Sequence, residues 1–319
     1  MKISVIAIFY NSAAWVRKCV DSILAQQGHF DLELIAVDDC SPDETLNILQ
    51  SYGDSRLRIV HHEINRGISS ARNSGLEHTT GDCFFFIDGD DYLPDGALAH
   101  LAEYFSDEVD WVQGSYAICD ETGKVLSLRN YPDAEYGSHR NIEKNFDQLE
   151  FIYTHNRLIN SRLKDIRFPI GKAHEDRFWN VEAFPRLKKI ICVSSPTYNY
   201  IAHPSSFSNK SRASVLYIES AMDLLKHMDA AGRCWEDMAD TFMITAIEKN
   251  CYLWEFPPAF RKNIRTRLKK RRPIKINIAA FPRFTKHVHN MIAAGMPDMM
   301  MGYICTIYRI FMRILNRPV

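Results

Sequence analysis

Apolar and polar positions alternate along the first hundred residues in two periods that take turns. Ile3 to Tyr10 is a short apolar run, partly β-branched, and predicts a first strand. After Asn11-Ser12, a pair suited to capping, Trp15, Cys19, Val20, Ile23 and Leu24 recur on one face. They predict a helix of roughly fifteen residues, closed by Gly28. Leu32 to Val37 predicts a second strand. Ser41-Pro42-Asp43-Glu44 then reads as a capping box that opens a second helix. Leu57 to Val60 predicts a third strand, Asn65-Arg66-Gly67 a turn, and the residues through Ala71 and Leu76 to Gly81 a helix. Cys83 to Ile87 is apolar at every position, as in a strand buried on both faces. Pro94 opens a further helix, to Phe105. Four strand–helix rounds predict a parallel sheet with right-handed crossovers.

The pattern changes after Asp107. Val109 to Gln113 and Ser115 to Cys119 predict two strands, with a turn at Asp120 to Gly123 leading into a third at Lys124. Residues 129–150 are polar and predict a mobile loop. Order resumes over 151–163 and after Phe168. Lys188 to Val193 predicts a strand, and Tyr198 to Ser208 a turn-rich stretch. From Ser214 onward helical periods dominate, over 215–231 and 235–254. The fold class is α/β, a mostly parallel sheet flanked by helices. The chain divides into 1–107, 108–210 and a helical extension, 211–319.

Composition narrows the class. With 46% hydrophobic and 24% charged residues, the chain has the balance of a globular protein. Eight scattered cysteines form no Cys-x-x-Cys, so neither a zinc knuckle nor a disulfide framework is indicated. No apolar stretch reaches 18 residues, which argues against a spanning helix, and no secretory signal is evident. The net charge of zero conceals an asymmetry. From Phe256 onward there are 14 Lys and Arg against one acid, Asp298, a net +13; the remainder carries −13. Residues 299–315 form an amphipathic pattern with a narrow polar stripe that includes Arg309 and Arg313. Such a helix suits an anionic membrane interface, or else packing on the body or on a second copy of the chain. Basic and aromatic residues do not interleave as in a nucleic-acid module.

The candidate chemistry gathers where strands end. Asp88, Asp90 and Asp91 follow the apolar strand within four positions. Two like charges about 4 Å apart repel by roughly 4 kcal/mol at an effective dielectric of about 20. Such a cluster holds a proton or a cation, and all-oxygen ligands suit Mg²⁺ or Mn²⁺. The alternative is an acidic helix cap, which needs one Asp and not three. Asp38 and Asp39 end a neighbouring strand and suit a hydrogen bond from a base or ribose, or a turn. Arg72 stands in the first turns of a helix, where it can join the dipole in holding an anion. His174-Glu175-Asp176-Arg177-Phe178-Trp179 sets acids beside aromatic faces, as for a general base beside a sugar, or simply starts an amphipathic helix. His203 is a lone imidazole that could join the Asp cluster. No Gly-x-Gly and no P-loop occur, so a nucleotide would be held by carboxylates and a cation.

In this order the pieces resemble the inverting nucleotide-sugar glycosyltransferases of family two, which have the GT-A fold. The matching segments are Ser4 to Asn11, Val37 to Asp43, Asn65-x-Gly67 through Asn73-x-Gly75, Phe86 to Asp91, and Glu175-Asp176. They span about residues 3–208. Ile8 stands where the family usually has Pro, and Cys40 where Gly is common. The resemblance implies that 1–107 binds the nucleotide sugar and 108–210 the acceptor. Asp39 would contact the uracil of a UDP-sugar, with Asp38, Asn65 and Tyr10 around the nucleotide. Arg72 would contact the diphosphate, and Asp88 the ribose or metal. Asp90 with Asp91, and His203 as a further ligand, would hold Mn²⁺ or Mg²⁺. Asp176 would be the catalytic base, with Glu175 and Trp179 at the acceptor.

The implied reaction is single displacement. Asp176 takes a proton from an acceptor hydroxyl, whose oxygen attacks the anomeric carbon opposite the UDP and inverts it. The implied acceptor is a glycan or lipid-linked hydroxyl in bacterial surface-polysaccharide synthesis, at the inner face of the cytoplasmic membrane. Two alternatives fit the same carboxylates: a nucleotidyltransferase that makes sugar nucleotides, and a non-catalytic scaffold on the membrane. The first usually has a glycine-rich basic loop where this chain reads Asn11-Ser12-Ala13-Ala14.

Overall fold

The fold is built on β1 (Lys2–Phe9), whose residues from Ile3 to Phe9 are all buried. Each large apolar side chain so removed from water contributes about 1.5–3 kcal/mol. On one side of β1 lies β2 (Asp31–Asp38) and then β3 (Leu57–His61); on the other lies β4 (Cys83–Asp88). These four are parallel, as the alternation predicts. Beyond β4 come β8 (Arg157–Asn160), β5 (Trp111–Cys119), β9 (Ile190–Ile201) and β7 (Ala134–Tyr136), with β6 (Val125–Arg129) paired to β5. Of these, β8 runs antiparallel to both β4 and β5, while β5 and β9 are parallel. The computed structural model describes residues 1–138, 141–142, 149, 153–172 and 174–203, and they belong to one compact unit, Met1–Ser206. The expected helices over 215–231 and 235–254, the basic run 261–275 and the amphipathic stretch 299–315 lie outside the described residues.

Helices connect the strands: α1 (Val16–Leu24), α2 (Thr45–Gln50), α3 (Ile68–His78), α4 (Ala97–Ala102) and α5 (Glu175–Ala183). The third packs on β1 and β2. Its buried face holds Ser69, Ser70, Ala71 and Gly75 beside Arg72 and Leu76, and Gly75 lies against β1. A Cβ there would lie 2.3 Å from Ile6 Cγ2, so only glycine lets the helix lie this near the sheet.

Several local expectations are corrected. The first helix has nine residues, not about fifteen, because Asn11 takes a left-handed φ of 54° and a turn at Ser12 precedes it. The capping box before α2 does not form. Asp43 takes the donors instead, from Thr45 N–H and Ala13 N–H, while Ser41 Oγ accepts from Asn11 N–H. The helix expected from Pro94 begins at Ala97, after Gly96 in a left-handed conformation. The two strands expected over 109–119 are one, since Gly114 marks a register shift against β9 and not a break. Likewise β9 runs on through Tyr198–Ile201, where turns were expected. The polar stretch 129–150 contributes β7; residues 139–140, 143–148 and 150 of it lie outside the described residues.

Candidate functional site

Two carboxylates flank the end of β1. Asp38 pairs in register with Phe9, and Asp88 with Ile8 on the opposite side. The turn after Asp88 is pinned to β1 by Gly89 N–H donating to the Ile8 carbonyl at 2.9 Å. A Cβ at Gly89 would stand 2.6 Å from that same carbonyl oxygen, so the approach requires glycine.

Arg72, on α3, is 2% exposed and ties this strand edge to α5. Its Nη2 donates to Asp88 Oδ1 at 3.0 Å; its Nη1 donates to Asp176 Oδ1 at 2.8 Å and to Glu175. The rings of Phe168 and Phe86 stand 5.3 and 6.0 Å from the guanidinium carbon. Burial alone would weaken its charge, but Asp176, Asp88 and Glu175 outweigh that and hold it firmly cationic. Glu175 pays the opposite way: burial and the neighbouring Asp176 push it up to about 7, against the pull of Arg72. Asp176 also accepts from Thr154 Oγ1 at 2.6 Å. Among the described residues both of these bonds fall on Oδ1, which leaves Oδ2 for another donor.

The acidic turn divides into separate roles. The half-buried Asp90 meets His203 Nε2 at 2.8 Å, so that ring nitrogen faces a carboxylate of the cluster. Burial and Asp88 raise the Asp90 pKa, and His203 partly offsets them. Asp91 is 1% exposed; it accepts from the Tyr198 hydroxyl at 2.6 Å and from Ile201 N–H at 2.7 Å. The expectation that Asp91 is an open metal ligand is corrected: its carboxylate fastens β9 to the turn. Among the described residues, no three His, Cys, Asp or Glu side chains form a ready cation cage. Nucleotide-bound Mg²⁺ or Mn²⁺ needs only one or two carboxylates, with phosphates and water completing the shell. Asp90 beside Asp88 is an all-oxygen donor pair of that kind.

At the end of β2, Asp39 is engaged three times. It accepts from Arg66 N–H at 2.8 Å and Gly67 N–H at 2.7 Å, and meets His62 Nδ1 at 2.7 Å. A carboxylate has about four acceptor positions; three are taken here and Asp39 is 3% exposed, so its first task is to fix the turn at Arg66 and Gly67. Asp38 is fully buried, bonded to Ser41 N–H and His61, and so does not present its oxygens to a ligand as expected. Asn65 and Tyr10 are exposed, Tyr10 at 52%. Trp179 is 0% exposed and stacks on Phe168 at 6.0 Å, so the expected sugar platform is a core residue. Glu175, buried against Arg72, is likewise not open to an acceptor.

Sequence reasoning missed Thr154, His155, Tyr198 and His62. His155 stacks on Tyr198 at 4.8 Å and forms an isolated parallel bridge to Phe86 on β4.

Comparison with known proteins bears on the family and the fold. EpsJ of Bacillus subtilis, a glycosyltransferase, is 27% identical over 262 residues, covering 74% of this chain and 73% of that one. The poly(ribitol-phosphate) beta-glucosyltransferase of Bacillus spizizenii is 27% identical over 63% of this chain, which spans only 32% of that relative. Among solved structures, residues 1–349 of S. aureus TarS in complex with UDP-GlcNAc superpose with a TM-score of 0.63. The identity is 19%, and the match covers 97% of this chain and 92% of that one. The profile of glycosyl transferase family 2 matches residues 4–167, just over half the chain. This protein therefore belongs to glycosyl transferase family 2, and its sheet and helices are those of a GT-A glycosyltransferase.

Proposed function

We propose that this glycosyltransferase takes a sugar from a UDP-sugar and passes it, with inversion, to an acceptor hydroxyl. The observation that carries the reading is Arg72, which holds Asp88 at the donor strand end and Asp176 at the start of α5 on one guanidinium. Asp176 is the base: with Oδ1 fixed by Arg72 and Thr154, Oδ2 accepts the hydroxyl proton. Asp39 sets the turn at Arg66 and Gly67 that would frame the uracil, with the exposed Tyr10 and Asn65 at its rim. Asp90 and Asp88, with His203 behind Asp90, would hold Mn²⁺ or Mg²⁺, which offsets charge on a departing diphosphate. The S. aureus neighbour with UDP-GlcNAc bound supports the UDP choice.

For the acceptor, we infer a hydroxyl of a glycan or lipid-linked polymer; the B. spizizenii relative, named for poly(ribitol-phosphate), supports a polyhydroxyl polymer. Among the described residues, no helix is long and apolar enough to cross a membrane. The basic, amphipathic pattern after Phe256 supports docking on an anionic membrane surface. Flotation with phosphatidylglycerol vesicles tests it; a chain truncated before Phe256 that floats as well as the full one ends the idea.

The donor is tested by UDP release from UDP-glucose, UDP-galactose and UDP-N-acetylglucosamine, with and without Mn²⁺. Slow, Mn²⁺-dependent hydrolysis of at least one is expected. Release only from GDP- or dTDP-sugars would overturn the donor class.

A further inference from the structure

His155 is 8% exposed, and of its two ring nitrogens only Nδ1 is buried without a hydrogen-bond partner. An orphaned N–H in the interior is rarer and costlier than an orphaned lone pair. The favoured tautomer therefore leaves a lone pair at Nδ1 and puts the proton on Nε2. The ring cannot turn freely. It is stacked on Tyr198 at 4.8 Å, lies 4.9 Å from the Tyr153 ring and meets Tyr116 edge-on at 5.7 Å. Burial favours its neutral form and outweighs the nearby charges of Asp88 and Asp176. The chain on both sides anchors it to the site. The preceding Thr154 bonds Asp176, and the Tyr198 hydroxyl accepts from Asp88 N–H at 3.3 Å.

A neutral N–H donor thus stands next in sequence to Thr154, which bonds the base, and is stacked on Tyr198, which bonds the donor strand end. On the UDP-sugar reading above, the group that lies between those two points is the transferred sugar. We propose that His155 Nε2–H donates a hydrogen bond to a hydroxyl oxygen of that sugar and helps select it. Tyr153, 36% exposed, lines the same place with an aromatic face on which a sugar ring can pack.

The test compares UDP with UDP-glucose, UDP-galactose and UDP-N-acetylglucosamine by calorimetry on the full chain. His155→Phe keeps the ring stack and deletes the donor. The wild type should bind at least one of these sugars more tightly than UDP. His155→Phe should lose about threefold to tenfold of that increment while its UDP affinity holds. His155→Gln, which restores an N–H without the ring, should recover part of it, and it serves alone if the Phe variant fails to melt cooperatively. Equal loss for UDP and UDP-sugar, no loss, a Gln variant no better than Phe, or a wild type with no sugar increment would overturn the assignment. Failure of the wild type to bind UDP would instead fell the donor reading itself.

Discussion

Thr154 Oγ1 donates to Asp176 Oδ1 at 2.6 Å, the same oxygen that Arg72 reaches at 2.8 Å. The two donors aim the carboxylate so that its second oxygen is the reactive one. Thr154→Val keeps the shape and removes one donor. A hydrogen bond to a charged group contributes about 1.5–3 kcal/mol, so kcat should fall by roughly tenfold to a hundredfold. The donor KM should stay unchanged. Asp176→Asn should abolish transfer while calorimetry still shows UDP binding; loss of UDP binding would move Asp176 into the donor site.

Arg72 is a structural joint as much as a site residue. A lysine at that position is a point charge that cannot span three carboxylates. Arg72→Lys should destabilise the fold, and Arg72→Met more so, by about 3–5 kcal/mol, because buried carboxylates are left uncompensated. Urea unfolding measures this. A wild-type midpoint in Arg72→Met would show that the guanidinium is not the tie described.

Glu175 gives the fold a pH dependence of definite sign. Its pKa rises from 4.5 to about 7 on folding, so between those values the native state binds more protons than the unfolded one. Its contribution is fully present below about pH 4.5 and is lost as pH rises towards about 7, on the order of 3 kcal/mol in all. Glu175→Gln, which keeps a neutral partner for Arg72, should flatten the stability profile over that window. Denaturant midpoints at steps from pH 4.5 to 8 test it; an unchanged slope in the variant would place the titration elsewhere.

Membership in glycosyl transferase family 2 removes the nucleotidyltransferase and the scaffold as readings of these carboxylates. The sheet half that ends in Asp38 and Asp88 was legible because a strand buried on both faces is written as an unbroken apolar run. A run that stops in acids marks its own end. What the sequence hid depends on distant partners. Asp90 and Asp91 are neighbours of the same type, yet one meets His203 at a half-exposed rim and the other is sealed under β9. Nothing local separates them, because the difference is made by Tyr198 and Ile201 more than a hundred positions away. Trp179 reads as a sugar platform until Phe168 is seen to cover it. Tyr198 to Ile201 reads as turn-rich, but β9 carries it through beside β5.

Separating Asp90 from Asp91 yields the sharpest prediction about the cation. If Asp90 is the carboxylate that meets Mn²⁺, Asp90→Ala should cost most of the Mn²⁺-dependent gain in UDP affinity. Protein stability should change little, since the side chain is half-buried at a rim. Asp91→Asn should do the reverse: Tyr198 and Ile201 N–H lose a buried carboxylate, so the melting temperature falls while any remaining folded protein still gains UDP affinity with Mn²⁺. Calorimetric titration of UDP with and without Mn²⁺, run beside thermal melts for both variants, distinguishes the two roles. Unaltered Mn²⁺ dependence in Asp90→Ala, or its loss in a fully stable Asp91→Asn, would exchange the two assignments.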